Sequence, residues 1–505
     1  MFFKNKVAGL ILLATVIRCI IAFSIGLGND EVYYVTYAQH LQWNYFDHPP
    51  LVALLIRLTT FNLMLTSDFF IRLGPILLAA ANTYLMYAIG KKIKDERASF
   101  IAALLYTSSI YASIIAGVFI MPDAPQLFFW ILSLYFLVHL ITDEQSNAKS
   151  NLYLLLFGLS TGLCVMSKVH GVFLWFGFGL YILIYNRKLL SNGYLYVSIL
   201  LTLLVISPIL FWNIENDFIT YTFHSNRVSI NRGINPNSFI REFFGGAAYN
   251  NPINYFIIIT TLIAFWKKRI NISINYIRLL LLMSFPLIGI LLFVSLFRDT
   301  LPHWSGPGFT ALLLLSACYL SDFKINSRLP RLVYYANYLI LAVSFLGILV
   351  LSFYPGTLGK TDEASLGKGD VTLDMYDWNF FKTEVGKIIQ KNKSEGKTNT
   401  NFIINNKWFP GAHIDNYIAA PLLLNFVAIG KLEDIHTYHW LNQFRKPIQK
   451  GDDAYYINVS NNFSDPNEIY KDDFEKINAP VIIKQYRGGK PVRNMLVYLM
   501  EGFKN

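Results

Sequence analysis

Two short segments near the N-terminus hold residues able to move a proton and hold an anion. "GNDEVYYVTY" carries Asp30 and Glu31, and "YFDHPPLVALL" carries Asp47 and His48 directly before Pro49 and Pro50. Further along, "MPDAP" places Asp123 between two prolines, "SKVHG" carries Lys168 and His170, and "FRDTLPHW" carries Arg298, Asp299 and His303. A carboxylate within reach of a hydroxyl can act as a general base. Lys, Arg and protonated His are the side chains that hold a phosphate. Such a set suits a displacement in which an acid deprotonates the incoming group and the cations stabilise a departing phosphate. Each residue also has a plainer reading. Asp30 and Glu31 can simply cap a helix, Asp123 can be the solvated N-cap of the next one, and the cations can anchor helix ends at headgroup level.

The elements that must position these residues are apolar. The chain has 505 residues, 54% of them hydrophobic and only 15% charged, against about 25% charged in soluble proteins. Eleven apolar stretches approach spanning length: 7–27, 70–90, 98–118, 124–141, 152–167, 171–185, 193–212, 252–266, 277–297, 305–321 and 332–353. A span needs about 20 residues, so the chain reads as an α-helical polytopic membrane protein with about eleven transmembrane helices. The first stretch is too long for the core of a signal peptide and lacks a small-residue cleavage site, so it reads as a retained span. Arg18 lies inside it, where an ionisable residue is costly and marks function. It either reaches outward to a headgroup or pairs with an acid. Cys19, Cys164 and Cys318 all fall in apolar runs without metal-ligand spacing and read as buried thiols.

The net charge is +11. Lys4 and Lys6, "KKIKDER" (91–97), "NRK" (186–188), "KKR" (267–269) and "KINSRLPR" (324–331) fall in alternate loops, while "TDEQSNAKSN" (142–151) fits weakly. The positive-inside rule then puts the N-terminus in the cytoplasm and, with an odd number of spans, everything after about 354 outside. On that topology Asp30, Glu31, Asp47, His48, Asp123, Lys168, His170, Arg298, Asp299 and His303 all gather at the outer face of a cytoplasmic or inner membrane. Nucleic-acid binding would need a basic stripe on a soluble surface, and the sequence has none.

The first outer segment, 28–69, is expected to hold a helix over "DEVYYVTYAQHLQW". Its tyrosines Tyr33, Tyr34 and Tyr37 would lie at headgroup depth. "DHPP" ends that helix, since proline forces the preceding residue towards an extended backbone. Pro49 or Pro50 then opens a helix over "LVALLIRLTTFNLML". Residues 355–505 lose the long apolar runs. "NFIIN", "DAYYINV" and "PVIIKQY" read as short buried strands, and "WNFFKTEVGKIIQKNKSEG" as a helix. The chain thus divides into a transmembrane domain, 1–354, and a small extracytoplasmic α/β domain, 355–505.

No P-loop or Rossmann fingerprint is present, so a donor acting at the outer face arrives on a lipid. "GNDEVYYVTYAQHLQWNYFDHPPLVALL", "MPDAPQLFFW", "SKVHGVF" and "LPHWSGPGF" together resemble the bacterial C-type membrane glycosyltransferases related to protein O-mannosyltransferases and lipid A aminoarabinose transferases. The resemblance runs over about 5–320, and more loosely over "LDMYDWNFF" and "NQFRKPIQKGDDAYYI". It implies the C-type glycosyltransferase fold and a polyprenyl-phosphate-linked sugar as donor. The acceptor would be a lipid, glycan or protein, met among membrane lipids, and the reaction would invert the anomeric carbon. Catalysis falls to the Asp30–Glu31 pair, with Asp30 as the base. His48 stands where relatives carry lysine near the donor phosphate, joined by Lys168, His170, Arg298 and His303. Asp47 and Asp123, with Tyr34, line the substrate cavity. Asp47, Asp123 and a histidine also offer ligands to a divalent metal, although their spacing does not demand one. A transporter or flippase, or a polymerase or ligase of lipid-linked glycans, is the alternative. A transporter would place its polar groups near mid-membrane and show paired repeats, and the sequence has no internal repeat.

Overall fold

The computed structural model describes residues 2–142, 147–228, 233–323 and 329–504. Parts of two loops counted for topology, 143–146 and 324–328, lie outside the described residues. The chain forms two compact units, each built from two stretches of sequence. Met1–Ile21 and Gln42–Ser344 make the first, and Ala22–Leu41 and Phe345–Asn505 the second. The 28–69 segment is therefore divided: its first helix belongs with the C-terminal sheet, and the boundary near 354 falls inside the second unit.

The first unit is helical. Its elements are α1 (Phe2–Ser24), which continues into the second unit, then α3 (Leu51–Thr59), α4 (Asp68–Ile93), α5 (Glu96–Ser108), α6 (Asp123–Leu140), α7 (Asn147–Ser167), α8 (Val172–Tyr185), α9 (Gly193–Glu215) and α10 (Ile219–Val228). They are followed by α11 (Pro236–Tyr249), α12 (Pro252–Trp266), α13 (Ile274–Leu282), α14 (Phe285–Ser295), α15 (Gly306–Leu320) and α16 (Arg331–Phe353), the last also crossing the boundary; α2 (Asn29–Gln39) belongs to the second unit. Seven described helices or helix pairs are long and apolar enough to cross a membrane by length and composition, and three shorter apolar helices accompany them. The chain is a multi-pass membrane protein.

Two apolar stretches are broken rather than continuous. The 98–118 stretch leaves the α-helix at Ser109, whose backbone is extended, and resumes as a π-turn over Tyr111–Ile115. The 277–297 stretch splits into α13 and α14, with Pro286 in the first turn of α14, where its missing N–H costs nothing. Helix α3 is shorter than its apolar pattern suggests. Thr60 donates its hydroxyl to the Ile56 carbonyl at 2.7 Å, and Phe61, Asn62 and Leu63 all take left-handed backbone conformations that end the helix.

The core of this unit is packed from α4 to α8 and α12 to α15, with Trp130, Leu134, Leu105, Ile257 and Leu314 fully buried. Helices α7 and α9 meet through Gly158 and Gly162, spaced by four. A Cβ on Gly158 would lie 2.3 Å from the Ser198 carbonyl oxygen, and one on Gly162 2.9 Å from Val205. Small residues at this spacing let two membrane helices approach closely. Thr202 uses the closeness to donate to the Gly158 carbonyl at 2.7 Å.

In the second unit, α2 packs against α18 (Trp408–Ile414), and the unit also holds α17 (Trp378–Ser394) and a six-stranded mixed sheet. The strands are β1 (Phe402–Asn405), β2 (Asn425–Ala428), β3 (Ala454–Val459), β4 (Phe474–Ile477), β5 (Val481–Arg487) and β6 (Lys490–Phe503). β1 runs parallel to both β2 and β3, and β6 is antiparallel to β3, β4 and β5. The three strands expected from sequence are present as β1, β3 and β5. β5, however, alternates exposed and buried residues, because it pairs only with β6 and leaves one face to solvent. The tyrosines of α2 also depart from expectation. Tyr33, Tyr34 and Tyr37 are buried, and the Tyr33 ring lies 5.1 Å from that of Trp408. Their helical spacing serves an aromatic core, not a headgroup belt.

Candidate functional site

In the helical unit the "DHPP" turn closes on itself. The Tyr45 N–H donates to the His48 carbonyl at 3.1 Å, and Pro50 precedes the first residue of α3. This fixes where Asp47 and His48 point. Asp123 opens α6, and Lys168 sits in extended backbone just past the end of α7. A Cβ on Gly171 would come within 2.7 Å of the Val165 nitrogen, so glycine lets the turn after Lys168 fold back against α7. The two side chains form an ion pair of 2.8 Å, both buried, and Tyr111 donates its hydroxyl to the other Asp123 oxygen at 3.2 Å. The solvated-cap reading of Asp123 is therefore excluded. The tight turn carries its acid inward because Lys168 meets it there.

Four histidines gather about this pair. His48, His170 and His303 lie within electrostatic reach of both Asp123 and Lys168. His224, which the sequence pattern did not single out, has its ring 6.2 Å from that of His48 and donates from Nε2 to the Asp47 carbonyl at 2.7 Å. His170 Nδ1 is buried with no hydrogen-bond partner. Burial pulls His48 down to about 4, helped by Lys168 and His224 and opposed by Asp47 and Asp123. Burial likewise takes His303 to about 4, with Asp123 opposing and Lys168 reinforcing. At neutral pH both rings are uncharged, so each offers one N–H donor and one acceptor nitrogen. A bound phosphate would favour their protonation.

Arg298 lies half-buried on the loop leading to His303, and its carbonyl accepts from Ser238 Oγ at 2.6 Å. Its neighbour Asp299 is exposed and pairs with Arg241 at 2.7 Å. Among the described residues no group of three or more His, Cys, Asp or Glu side chains is arranged to hold a metal ion. Asp123 is already neutralised by Lys168, so it does not fit as a ligand for a divalent ion alongside Asp47.

In the second unit the Asp-Glu pair divides its work. Glu31 is buried and accepts the Gly28 N–H at 2.8 Å, closing the start of α2. Asp30 is exposed in the same first turn, where the helix dipole favours an anion. The segment before it is held on "LDMYDW". The Gly26 N–H donates to the Met375 carbonyl at 3.1 Å, and the Leu27 N–H to the Tyr417 hydroxyl at 2.9 Å. His413 Nε2 donates to the Asp374 and Leu27 carbonyls at 2.9 and 3.2 Å. Asn29 Nδ2 donates to the Asp374 carboxylate at 2.7 Å. Burial pushes Asp374 up to about 7, against the pull of Arg493, and the nearby Asp30 and Asp370 push in the same direction as burial. Asp374 was not legible as a site residue. Tyr34 is a packing residue within the same unit, its ring 5.4 Å from that of Tyr37.

With that geometry in view, the fold belongs to a known class. Over 98% of its length the chain superposes on 98% of ArnT from Cupriavidus metallidurans. The TM-score is 0.61 at 12% identity for the apo form, and 0.62 at 13% for the form bound to undecaprenyl phosphate. Residues 47–212 match the family model of the dolichyl-phosphate-mannose-protein mannosyltransferases. The lipid A galacturonosyltransferase RgtD of Rhizobium johnstonii is 23% identical over 294 residues, 58% of this chain and 60% of that relative. The chain thus spans about 60% of the length of that curated relative. The chain therefore has the ArnT fold, and residues 47–212 are similar to the mannosyltransferase family.

Proposed function

We propose that this chain is an inverting glycosyltransferase that moves a sugar from a polyprenyl-phosphate-linked donor to an acceptor at the outer face of the cytoplasmic membrane. The acceptor we assign is lipid A, the substrate class in the name of the Rhizobium relative. The observation that carries the reading is the exposed carboxylate of Asp30 in the first turn of α2, whose start is closed by its neighbour Glu31. In the reaction Asp30 takes the proton of an acceptor hydroxyl. The acceptor oxygen bonds to the anomeric carbon as the bond from that carbon to the phosphate oxygen breaks, and the polyprenyl phosphate leaves with its electron pair. His48, His170 and His303 with Lys168, and Arg298 on the neighbouring loop, stabilise the charge that develops on the leaving phosphate. With the N-terminus in the cytoplasm, the sheet unit is extracytoplasmic.

Two experiments test the reading. Mass spectrometry of lipid A and lipid-linked sugars in a deletion strain should show one glycosyl residue lost from lipid A and its polyprenyl-phosphate donor accumulating. Unchanged profiles of both contradict the assignment. A reporter fused after residue 400 should report an extracytoplasmic position, and a cytoplasmic signal would overturn the topology.

A further inference from the structure

Arg18 has surroundings that neither the polar cluster nor Asp30 explains. It is buried in α1, 2% exposed. Its Nε and Nη2 donate to the carbonyl and hydroxyl oxygens of Ser113 at 3.3 and 3.2 Å. Its Nη1 is buried with no hydrogen-bond partner, and among the described residues no carboxylate lies within ion-pair distance. Ser113 is neutral, so the positive charge stands uncompensated inside a membrane helix, where an isolated charge is costly.

This guanidinium borders a cavity of about 550 Å³, within the range of about 300–1,000 Å³ typical of small-ligand pockets. The cavity is a slot along one face of α1, from Lys6 through Leu10 and Ile17, closed on the other side by Val333 and Ile340 of α16. Its length is set by the twelve residues between Lys6 and Arg18, about 18 Å at the helical rise. Apart from Arg18 and Lys6 its walls are mainly apolar. Of the seven candidate spans, α16 and α1 are the least buried, at 11% and 22%, so a lipid can reach the slot sideways from the bilayer.

We propose that the slot is a binding site for an anionic phospholipid, with the lipid phosphate on Arg18 and one acyl chain lying between α1 and α16. A soluble anion would gain nothing from an apolar slot, and a neutral lipid would leave Arg18 uncompensated. No histidine, lysine or acid of the polar cluster lines the slot.

Native mass spectrometry of the delipidated full-length protein, titrated with phosphatidylglycerol or phosphatidylcholine of matched chains, tests this. Wild type should retain one phosphatidylglycerol in preference to phosphatidylcholine. Arg18→Gln should lower that retention at least about tenfold, the effect of losing a charged hydrogen bond. Ala14→Phe, which fills the slot and leaves Arg18 in place, should lower it as well and decides the matter if Arg18→Gln does not fold. Equal retention of the two lipids by wild type, or undiminished phosphatidylglycerol in the variants, overturns the proposal. Displacement of phosphatidylglycerol by undecaprenyl phosphate at equal ratio also overturns it, assigning the slot to the donor lipid.

Discussion

Asp123 and Asp30 are both first-turn acids of helices, one in each compact unit, and their surroundings are opposite. Asp123 is buried, held by Lys168 and Tyr111 and ringed by histidines. Asp30 is exposed, and its neighbour Glu31 carries the structural task of closing the helix. In the helical unit the acid and the lysine neutralise each other, and burial holds His48 and His303 uncharged at neutral pH. In the sheet unit the Asp30 carboxylate is exposed to solvent, where the proposed reaction needs its base. On the proposed function, the same position on a helix serves architecture in one unit and chemistry in the other.

The largest change in stability should come from breaking the buried pair. Lys168→Ala leaves Asp123 charged and unpartnered and should cost about 3–5 kcal/mol, read as a lowered unfolding temperature in detergent. Replacing both, Asp123→Leu with Lys168→Met, should recover most of that loss, because no charge is left buried. A Lys168→Ala protein as stable as wild type would mean that the two units treat their acids alike.

A smaller effect is expected at the start of α2. Glu31→Ala removes one charged hydrogen bond and should cost about 1–3 kcal/mol, with turnover falling only as far as folding does. Loss of turnover in fully folded Glu31→Ala would move Glu31 from structure to chemistry and blur the contrast.

The smallest effects are titrations of opposite sign. His48 and His303 lie at about 4 when folded, against 6.5 ordinarily. As pH falls from about 6.5 to 4 the unfolded chain takes up their protons first, so stability declines across that window and is flat above it. Asp374 lies at about 7 against an ordinary 3.8. Folding there holds a proton that the unfolded chain has released, so stability declines as pH rises from about 4 to 7. His48→Gln should shallow the acid-side decline, and Asp374→Asn should raise stability at pH 8 while leaving it unchanged at pH 4. Unfolding temperatures at pH 4, 6 and 8 measure both, and slopes that the variants leave untouched would contradict the burial assigned to these groups.

Much of this was legible in the residues themselves. All eleven apolar stretches correspond to helical segments, and the "DHPP" turn, the start of α3 at Pro50 and the strands β1, β3 and β5 lie where their patterns put them. Hydropathy and proline geometry act locally, so sequence carries them. What sequence hid depends on distant partners. The tyrosines of α2 have interfacial spacing but pack against Trp408 and His436, nearly four hundred residues away in the chain. Nothing in "MPDAP" announces that Asp123 meets Lys168, and nothing in "YTFHSN" marks His224 as a neighbour of His48. The long strand β6, which holds β3, β4 and β5 together, lacks a clean period-two alternation because it is buried on both faces over much of its length.

The central claim, that Asp30 is the base of a lipid-linked sugar transfer, is met most directly by single-turnover kinetics of Asp30→Asn with saturating polyprenyl-phosphate-linked donor. Transfer should fall about 10²–10⁴-fold, the range for losing a positioned general base, while the unfolding temperature and donor binding stay at wild-type values. Wild-type turnover in a folded Asp30→Asn protein would contradict the account.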